Sequence, residues 1–247
     1  MLNDSSTFDR TMPDVLTLRQ LAEHLQLSER TIYRLLGRGQ LPGFKVGGHW
    51  RFRRSVVDYW LDLRIGRMSP ADLEDIDTEW LSPACPLSDA LAIENALLTI
   101  SGGSRQEIVA GLIRAVTFAE PVDVEQVVAR VWEREQLAST AASDGVALLH
   151  TARWDVRAIH RHDLLAIGRL STPIDFGEAD GKLTDIFFLV LARDARRQLT
   201  LLAKAARLCR HDGFLAALRA AGSPRSVVTL VRNTERVLFT SQPPSNG

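Results

Sequence analysis

The chain of 247 residues is poor in cysteine and has no long apolar run. Its two cysteines, Cys85 and Cys209, lack a Cys-x-x-Cys partner, which argues against a disulfide framework or a zinc site. Both thiols are expected to be reduced and structurally incidental. No apolar run approaches the ~20 residues that a membrane helix requires, and residues 1–14 lack the charged start and apolar stretch of a signal peptide. We therefore expect a cytoplasmic protein with no membrane segment, cofactor or metal.

The net charge is zero, but the charges are segregated along the chain. Residues 16–67 hold ten Lys and Arg against four Asp and Glu, a balance of +6, so the rest of the neutral chain carries −6. A basic head on an acidic body suits a DNA-reading module attached to something else. The length also suits a module of ~50 residues followed by one of ~150. We expect a head at 14–66, a linker at 67–86 and a body at 87–241.

Two helix starts in the head predict a helix-turn-helix. Thr17 followed by Gln20 is a capping-box pattern, and leucine and alanine then recur at helical spacing through Leu25. Ser28 can cap a second helix, which Gly37 ends. The N-terminal residues of such a second helix reach base edges in the major groove of DNA. The candidate DNA contacts on this helix are Arg30, Thr31, Tyr33 and Arg34.

The pair Gly47-Gly48, set between alternating apolar residues, predicts a β-hairpin after the second helix. This hairpin would form a wing, with basic side chains available to phosphates and apolar side chains buried on the helices. The basic candidates are Lys45, His49, Arg51 and Arg53, and the apolar residues are Phe44, Val46, Trp50 and Phe52. A third helix is predicted to begin at Ser55, where Asp58 completes the cap.

The head resembles a known family. Its run from Leu16 to Leu61 is similar, without a gap, to the excisionase-type, MerR-related winged helix-turn-helix family. In that family a leucine-alanine helix precedes S-x-x-T-[IV]-Y-R, a short L-P and a hairpin that ends in W-R-F. The resemblance implies that the second helix and the wing bind double-stranded DNA. The alternative is a basic module that binds another protein and whose arginines form a solvated face.

The linker is acidic. From Pro70 to Glu94 the chain holds seven acidic residues and no Lys or Arg, with three prolines interspersed. Such a connector is either solvated or competes with DNA for the arginines of the head. Trp80 and Leu81 indicate that part of it docks on a neighbouring surface.

Helical and strand patterns alternate in the body. Ser104 with Glu107 is a capping box, a second helix follows Pro121, and Ser223-Pro224 begins the last helix. The apolar runs GVALL, LLAIGRL and LTDIFFLVLA have the length and residue types of strands. The runs QLTLLAKAARLCR and FLAALRAAG are helical in pattern. We therefore predict an α/β fold: a small winged helix-turn-helix domain, then a domain with a mixed central sheet and helices on both faces.

His150 ends the predicted strand GVALL, where loops of α/β folds open to solvent and often form sites. An imidazole there can attack phosphorus if one ring nitrogen is neutral and the other is held by a hydrogen bond. Arg134 and Arg153 can supply the cations that a phosphoryl group needs. His160 and His162 have no other predicted ligand nearby, so they are expected on the surface rather than at a metal.

The body resembles the phosphotransferase-system enzyme IIA family of the fructose, mannitol and nitrogen-regulatory type, over residues 87–240. Its run REQLASTAASDGVALLH is similar to that family's R-E-x-x-x-S-T followed by G-I-A-I-P-H. The later segments PIDFGEADGKLTDIFFLV and QLTLLAKAARL look like the family's strand and helix. By this resemblance His150 is the phosphoacceptor, and Arg134 steadies the phosphate.

Three positions depart from the family pattern. Leu149 stands in place of a proline, Thr151 in place of a glycine, and Gln198 in place of a second histidine at the start of the LxxLA helix. Glutamine supplies neither charge nor a group for proton transfer. This substitution argues against relay of phosphate to a sugar transporter.

Three functions fit these observations. The first, which we prefer, is a DNA-binding regulator whose body senses phosphotransferase state, by phosphorylation of His150 or by docking of a histidine phosphocarrier. The second is a phosphohistidine-carrying component of a sugar or nitrogen phosphotransferase system, tethered by its head. The third is a phosphorylation-incompetent body used for dimerisation or for a small ligand. The sequence leaves the oligomeric state open, and a homodimer would fit the first case because winged modules commonly bind DNA as dimers.

Overall fold

The computed structural model describes residues 15–25, 27–37, 41–54, 56–57, 86–137, 139–142, 144–151, 162–177, 181–193 and 195–239. The chain forms two compact units, residues 1–63 and residues 64–247. Several predicted features lie outside the described residues: the linker up to residue 85 with Cys85, most of the third helix, Arg153 and His160.

The first unit is a helix-turn-helix with a three-stranded sheet. The predicted capping box is present, since Thr17 N donates to Gln20 Oε1 over 2.9 Å and Gln20 N donates to Thr17 Oγ1 over 3.3 Å. Ser28 caps the second helix by accepting from Thr31 N over 3.1 Å. The elements in chain order are β1 (Val15–Thr17), α1 (Leu18–Leu25), α2 (Glu29–Gly37), β2 (Phe44–Val46) and β3 (His49–Arg53).

The predicted hairpin joins β2 to β3. Its turn residues Gly47 and Gly48 have φ angles of +57° and +82°, values that suit a type I′ turn and that other residues adopt only with strain. β3 pairs antiparallel with β2 on one side and with β1 on the other. Strand β1 was not predicted from the sequence.

The expectation that all apolar residues of the wing are buried is wrong for two of them. Phe52 is fully buried, but Phe44 is 45% exposed and Val46 is 56% exposed. In the register of the hairpin, Phe44 pairs with Arg51 and Val46 pairs with His49. Because successive residues of a strand point to opposite faces, these pairs lie on the face opposite to Phe52. Only one face of the wing can pack on the helices.

A mixed five-stranded sheet forms the centre of the second unit, as predicted. In the spatial order β4-β7-β8-β6-β5, the pairs β4/β7 and β8/β6 are parallel, and the pairs β7/β8 and β6/β5 are antiparallel. The short edge strands β4 and β5 were not predicted. The bounds are β4 (Leu98–Ile100), β5 (Ala141–Ala142), β6 (Val146–Leu149), β7 (Leu164–Ile174) and β8 (Thr184–Leu191).

The helices of this unit begin where the sequence placed their caps. Ser104 Oγ accepts from Glu107 N over 3.3 Å, and Ser223 Oγ accepts from Ser226 N over 3.2 Å. No helix in the described ranges is long and apolar enough to cross a membrane. The α-helices are α3 (Arg105–Ala115), α4 (Val124–Leu137), α5 (Ala195–Cys209), α6 (Phe214–Ala220) and α7 (Pro224–Phe239), and two 3-10 turns span Leu87–Ala90 and Ile93–Asn95.

Helices cover both faces of the sheet. On one face, Leu112 of α3 and Val131 of α4 share a buried cluster with Leu189 of β8. On the other face, α5 contacts β6 and β8. Phe188 and Val190, which alternate with Leu189 along β8, are also fully buried. The predicted two-sided α/β arrangement is confirmed.

A buried ion pair joins α5 to α7. Lys204 Nζ lies 3.5 Å from Glu235 Oε1, and the two side chains are only 1% and 8% exposed. Lys204 Nζ also lies 5.1 Å from the centre of the Phe239 ring. Glu235 accepts in addition from the backbone N–H groups of Leu87 and Ser88, the latter over 2.9 Å. One carboxylate therefore holds the first 3-10 turn against the last helix.

We expect Glu235→Gln to destabilise the second unit by about 3–5 kcal/mol, because the substitution removes the carboxylate that pairs with the buried ammonium of Lys204. Urea unfolding followed by circular dichroism measures this loss. The control is Lys182→Met, which breaks an ion pair with Asp144 whose side chains are 55% and 60% exposed. That change should cost less than about 1 kcal/mol, and equal losses in the two variants would contradict the argument.

Cys209 is a free thiol at the end of α5, and burial raises its pKa to about 12. Only the thiolate is nucleophilic, so in a Cys85→Ser background the rate of alkylation should rise about tenfold per pH unit up to about pH 10. For a solvent-exposed thiol, with a pKa of about 8.5, the alkylation rate would instead level off above about pH 9. Iodoacetamide labelling followed by mass spectrometry gives the rates, and a plateau near pH 9 would show that the sulfur is not desolvated.

Candidate functional site

His150 directly follows β6, at the edge of the sheet where the parallel strands β6 and β8 end. α5 begins after β8 at the same edge. The sequence predicted that this position opens to solvent, but His150 is 4% exposed and Arg134 is 3% exposed. Contacts within the protein, rather than solvent, therefore determine which ring nitrogen of His150 carries the proton.

Both ring nitrogens of His150 have hydrogen-bond partners. Nδ1 lies 2.7 Å from the carbonyl oxygen of Leu148, and Arg134 Nε donates to Nε2 over 3.2 Å. A carbonyl can only accept and a guanidinium can only donate. The proton is thus assigned to Nδ1, and Nε2 carries the lone pair. This is the neutral form that attack through Nε2 requires.

Arg134 lies in the last turn of α4, next to a buried carboxylate. Glu135 is 1% exposed, and its Oε2 accepts from Thr140 N over 3.0 Å and from Thr140 Oγ1 over 2.6 Å. It also forms an ion pair with Arg105, whose side chain is 36% exposed. The ion pair therefore connects the interior beside His150 to the surface of α3.

Three of these residues, Glu135, Thr140 and Arg105, were not predicted from the sequence as parts of the site. The spacing held a signal, since Val127, Val131 and Glu135 recur every four residues and so share one face of α4. A carboxylate on a buried face requires donors close by. Those donors come from positions that sequence spacing along one helix does not identify.

Gln198 lies in the first turn of α5 and is 1% exposed. Its Nε2 donates to the carbonyl oxygen of Thr151 over 3.0 Å, and its Oε1 accepts from Thr151 Oγ1 over 3.4 Å. The structure thus brings Gln198 against the residue that follows His150. Both ends of the amide contact Thr151.

The predicted DNA contacts of α2 lie on a largely exposed face. Arg30, Tyr33 and Arg34 are exposed, and Thr31 is partly buried. Thr31 Oγ1 lies 2.9 Å from Ser28 Oγ, so this hydroxyl belongs to the helix cap. Arg30, Tyr33 and Arg34 are the exposed candidates whose side chains are long enough to reach beyond the helix.

The basic residues of the wing are divided between its two faces. His49 and Arg51 share a face with the exposed apolar residues of β2. Lys45 pairs with Trp50 on the other face, and its Nζ lies 5.0 Å from the centre of a Trp50 ring. Arg53 is exposed near the end of β3. The wing therefore presents cations in more than one direction.

His162 is exposed, as expected of a surface residue. Among the described residues, no group of three His, Cys, Asp or Glu is arranged to hold a metal ion.

Comparison with known proteins identifies both units. Residues 90–234, more than half of the chain, match the family described as phosphoenolpyruvate-dependent sugar phosphotransferase system, EIIA 2. The chain belongs to this type-2 enzyme IIA family. Residues 15–62 match a helix-turn-helix domain. The two resemblances read from the sequence are confirmed at this level, and the excisionase subtype stays a prediction.

Individual relatives agree with the family. A nitrogen regulatory protein of Bradyrhizobium diazoefficiens is 28% identical over 148 residues, which are 59% of this chain and 94% of that protein. A multiphosphoryl transfer protein of Shigella flexneri is 30% identical over 103 residues, 41% of this chain but only 12% of that much longer protein. The crystal structure of nitrogen regulatory protein IIA-Ntr from Neisseria meningitidis has the same fold as this enzyme IIA unit. It matches 59% of this chain and 98% of that chain with a TM-score of 0.52 at 21% identity.

Proposed function

We propose that the chain is a transcription regulator that binds double-stranded DNA through its helix-turn-helix and senses the state of a phosphotransferase system through His150. The observation that supports the proposal is the fixed orientation of the His150 imidazole. The carbonyl of Leu148 accepts the proton of Nδ1, and Nε2 faces the guanidinium of Arg134. A nucleophilic nitrogen beside a cation suits transfer of a phosphoryl group.

In the proposed reaction, Nε2 of His150 attacks the phosphorus of a phosphohistidine on a carrier protein. A new N–P bond forms while the N–P bond of the carrier breaks, and its electron pair returns to the carrier's imidazole. The proton on Nδ1 stays hydrogen-bonded to the carbonyl of Leu148. Arg134 leaves Nε2 during this step, and its guanidinium then donates to the phosphoryl oxygens.

Gln198 favours a sensor over a relay. An amide neither transfers a proton nor carries charge, and both ends of this one contact Thr151. Phosphate on His150 would therefore persist until a carrier takes it back. It adds about −1.5 to −2 charges near pH 7, and this change is the proposed signal to the basic first unit.

Incubation with the general phosphotransferase proteins and labelled phosphoenolpyruvate is expected to label the chain at His150. His150→Ala should remove the label, and His162→Ala, at an exposed histidine of the same unit, should retain it. Arg134→Met should slow labelling about a hundredfold, since a buried donor to the transferred group is lost. Absence of label from the wild-type chain, or label that persists in His150→Ala, would contradict the proposed phosphorylation.

The proposed DNA contacts divide by geometry. Arg30 and Arg34 lie one turn apart on the exposed face of α2, the element that reads bases in a helix-turn-helix. His49 and Arg53 lie on the wing, where cations meet phosphates. Base reading is therefore assigned to α2, and sequence-independent affinity to the wing.

Arg34→Ala is expected to weaken binding to the specific site by ~1–3 kcal/mol, with a smaller effect on random DNA. Arg53→Ala should weaken binding to all DNA and reduce the salt slope by about one unit. Selection from random DNA supplies the site, and fluorescence anisotropy at several salt concentrations gives the affinities. The control is Arg19→Ala on α1, an 82% exposed arginine paired with Glu23. If both test variants lose equally on specific and random DNA, α2 does not read bases.

The second candidate is a phosphorylation-incompetent body used for dimerisation or for a small ligand. The low exposure of His150 favours this reading. Binding of the unphosphorylated carrier without transfer of label would support docking. A DNA site with two-fold symmetry would support a homodimer.

A further inference from the structure

We propose that Glu135 is a positioning residue for His150, because its carboxylate holds in place both groups that hydrogen-bond to the imidazole. The inference deepens the proposed function and rests on it for the consequence in phosphate transfer. The geometry that it invokes can be measured without phosphate.

The first arm runs through α4. Glu135 accepts from Thr140 N and Thr140 Oγ1, and this contact ties the last turn of the helix to the segment that follows it. Arg134 is the adjacent residue in that turn, so its side chain starts from an anchored backbone. Its Nε then reaches Nε2 of His150 over 3.2 Å.

The second arm runs through the sheet. The carbonyl of Thr140 accepts from Leu148 N over 3.1 Å, and the carbonyl of Leu148 lies 2.7 Å from Nδ1 of His150. The position of Thr140 therefore sets the peptide to which the imidazole proton is bonded. With the first arm, these contacts close a ring that begins and ends at Glu135.

This cycle of contacts requires a carboxylate at position 135, because both of its oxygens accept hydrogen bonds. Arg105 Nη2 contacts Oε1 of Glu135, while the Thr140 donors approach mainly Oε2. Arg105 also lies over the ring of Phe176, with 5.1 Å from its guanidinium carbon to the ring centre. In Glu135→Gln the size is kept, but one acceptor oxygen becomes an NH₂ donor. That donor would face either Arg105 or Thr140, so one side of the anchor is lost.

A merely structural role would predict loss of stability without a change at His150. Positioning predicts in addition that the imidazole loses its fixed tautomer, because its two partners no longer have fixed places. Nitrogen-15 NMR of the imidazole separates these outcomes, since long-range N–H correlations distinguish protonation at Nδ1 from protonation at Nε2. His150 is assigned among the six histidines by the signal that His150→Ala removes.

The experiment compares four variants of the full chain with the wild type. The wild type is expected to show the Nδ1–H form alone. Glu135→Gln and Thr140→Val should each show a mixture of both tautomers, and Thr140→Ser, which keeps the hydroxyl, should restore the single form. Glu125→Gln is the matched control on the same helix, because Glu125 is exposed and pairs with Arg114. Phosphorylation of His150 should be about tenfold to a hundredfold slower in Glu135→Gln and Thr140→Val than in the wild type. Loss of a group that orients a functional histidine from outside typically has an effect of this size.

Each outcome decides between the claims. A single Nδ1–H tautomer in folded Glu135→Gln and in Thr140→Val overturns positioning by Glu135, whatever the phosphorylation result. If Glu135→Gln does not fold, Thr140→Val, which retains the carboxylate and Arg105, decides alone. Tautomer mixing in these variants, with no phosphate ever found on wild-type His150, supports positioning and rejects the phosphorylation half of the proposed function.

Discussion

The buried carboxylate of Glu135 is the constraint on which the rest of the second unit's site depends. A charged group that is 1% exposed is costly unless donors replace the water that it has lost. Its donors are a backbone N–H and a hydroxyl from Thr140 and a guanidinium from Arg105 of α3. Satisfying one charge therefore fixes α3, α4 and the start of β5 relative to one another. The order around His150 follows from that requirement.

A second buried charge organises the opposite face of the sheet. Gln198 and Lys204 lie on the same helix, α5, six residues and so about 9 Å apart along its axis. Gln198 bonds to Thr151 beside His150, and Lys204 pairs with Glu235, which also binds the first 3-10 turn. Helix α5 thus contacts both the residue that follows His150 and the carboxylate that holds the first 3-10 turn. Helix caps and apolar periodicity alone do not create this link.

The sequence predicted what local chemistry determines. The caps at Thr17, Ser28 and Ser104, the turn at Gly47-Gly48 and the long helices and central strands all follow from residues within a few positions of one another. The edge strands β1, β4 and β5 were missed because two or three residues become a strand only when a partner strand is beside them.

The parts of the site that the sequence did not predict are contacts between residues far apart along the chain. Arg105 and Glu135 are thirty residues apart, and Gln198 and Thr151 are forty-seven apart. The burial of His150 and the exposure of Phe44 on the wing likewise depend on which face a neighbouring element covers. The spacing of Val127, Val131 and Glu135 puts this glutamate on a buried face of α4, but a buried charge is explained only by its partners. The resemblance to enzyme IIA placed His150 and Arg134 in one site without the geometry that joins them.

The hydrogen bond between Arg134 and His150 determines the order of steps in any phosphate transfer. Nε2 of His150 cannot attack phosphorus while it accepts from Arg134, so the hydrogen bond must be exchanged before or as the new bond forms. The exchange favours the guanidinium, because phosphoryl oxygens accept two charge-assisted bonds where a neutral imidazole accepts one. Arg134 can therefore turn toward a phosphate only within the range that the Glu135 anchor leaves to its backbone, which makes the anchor a determinant of where a phosphoryl group can be held.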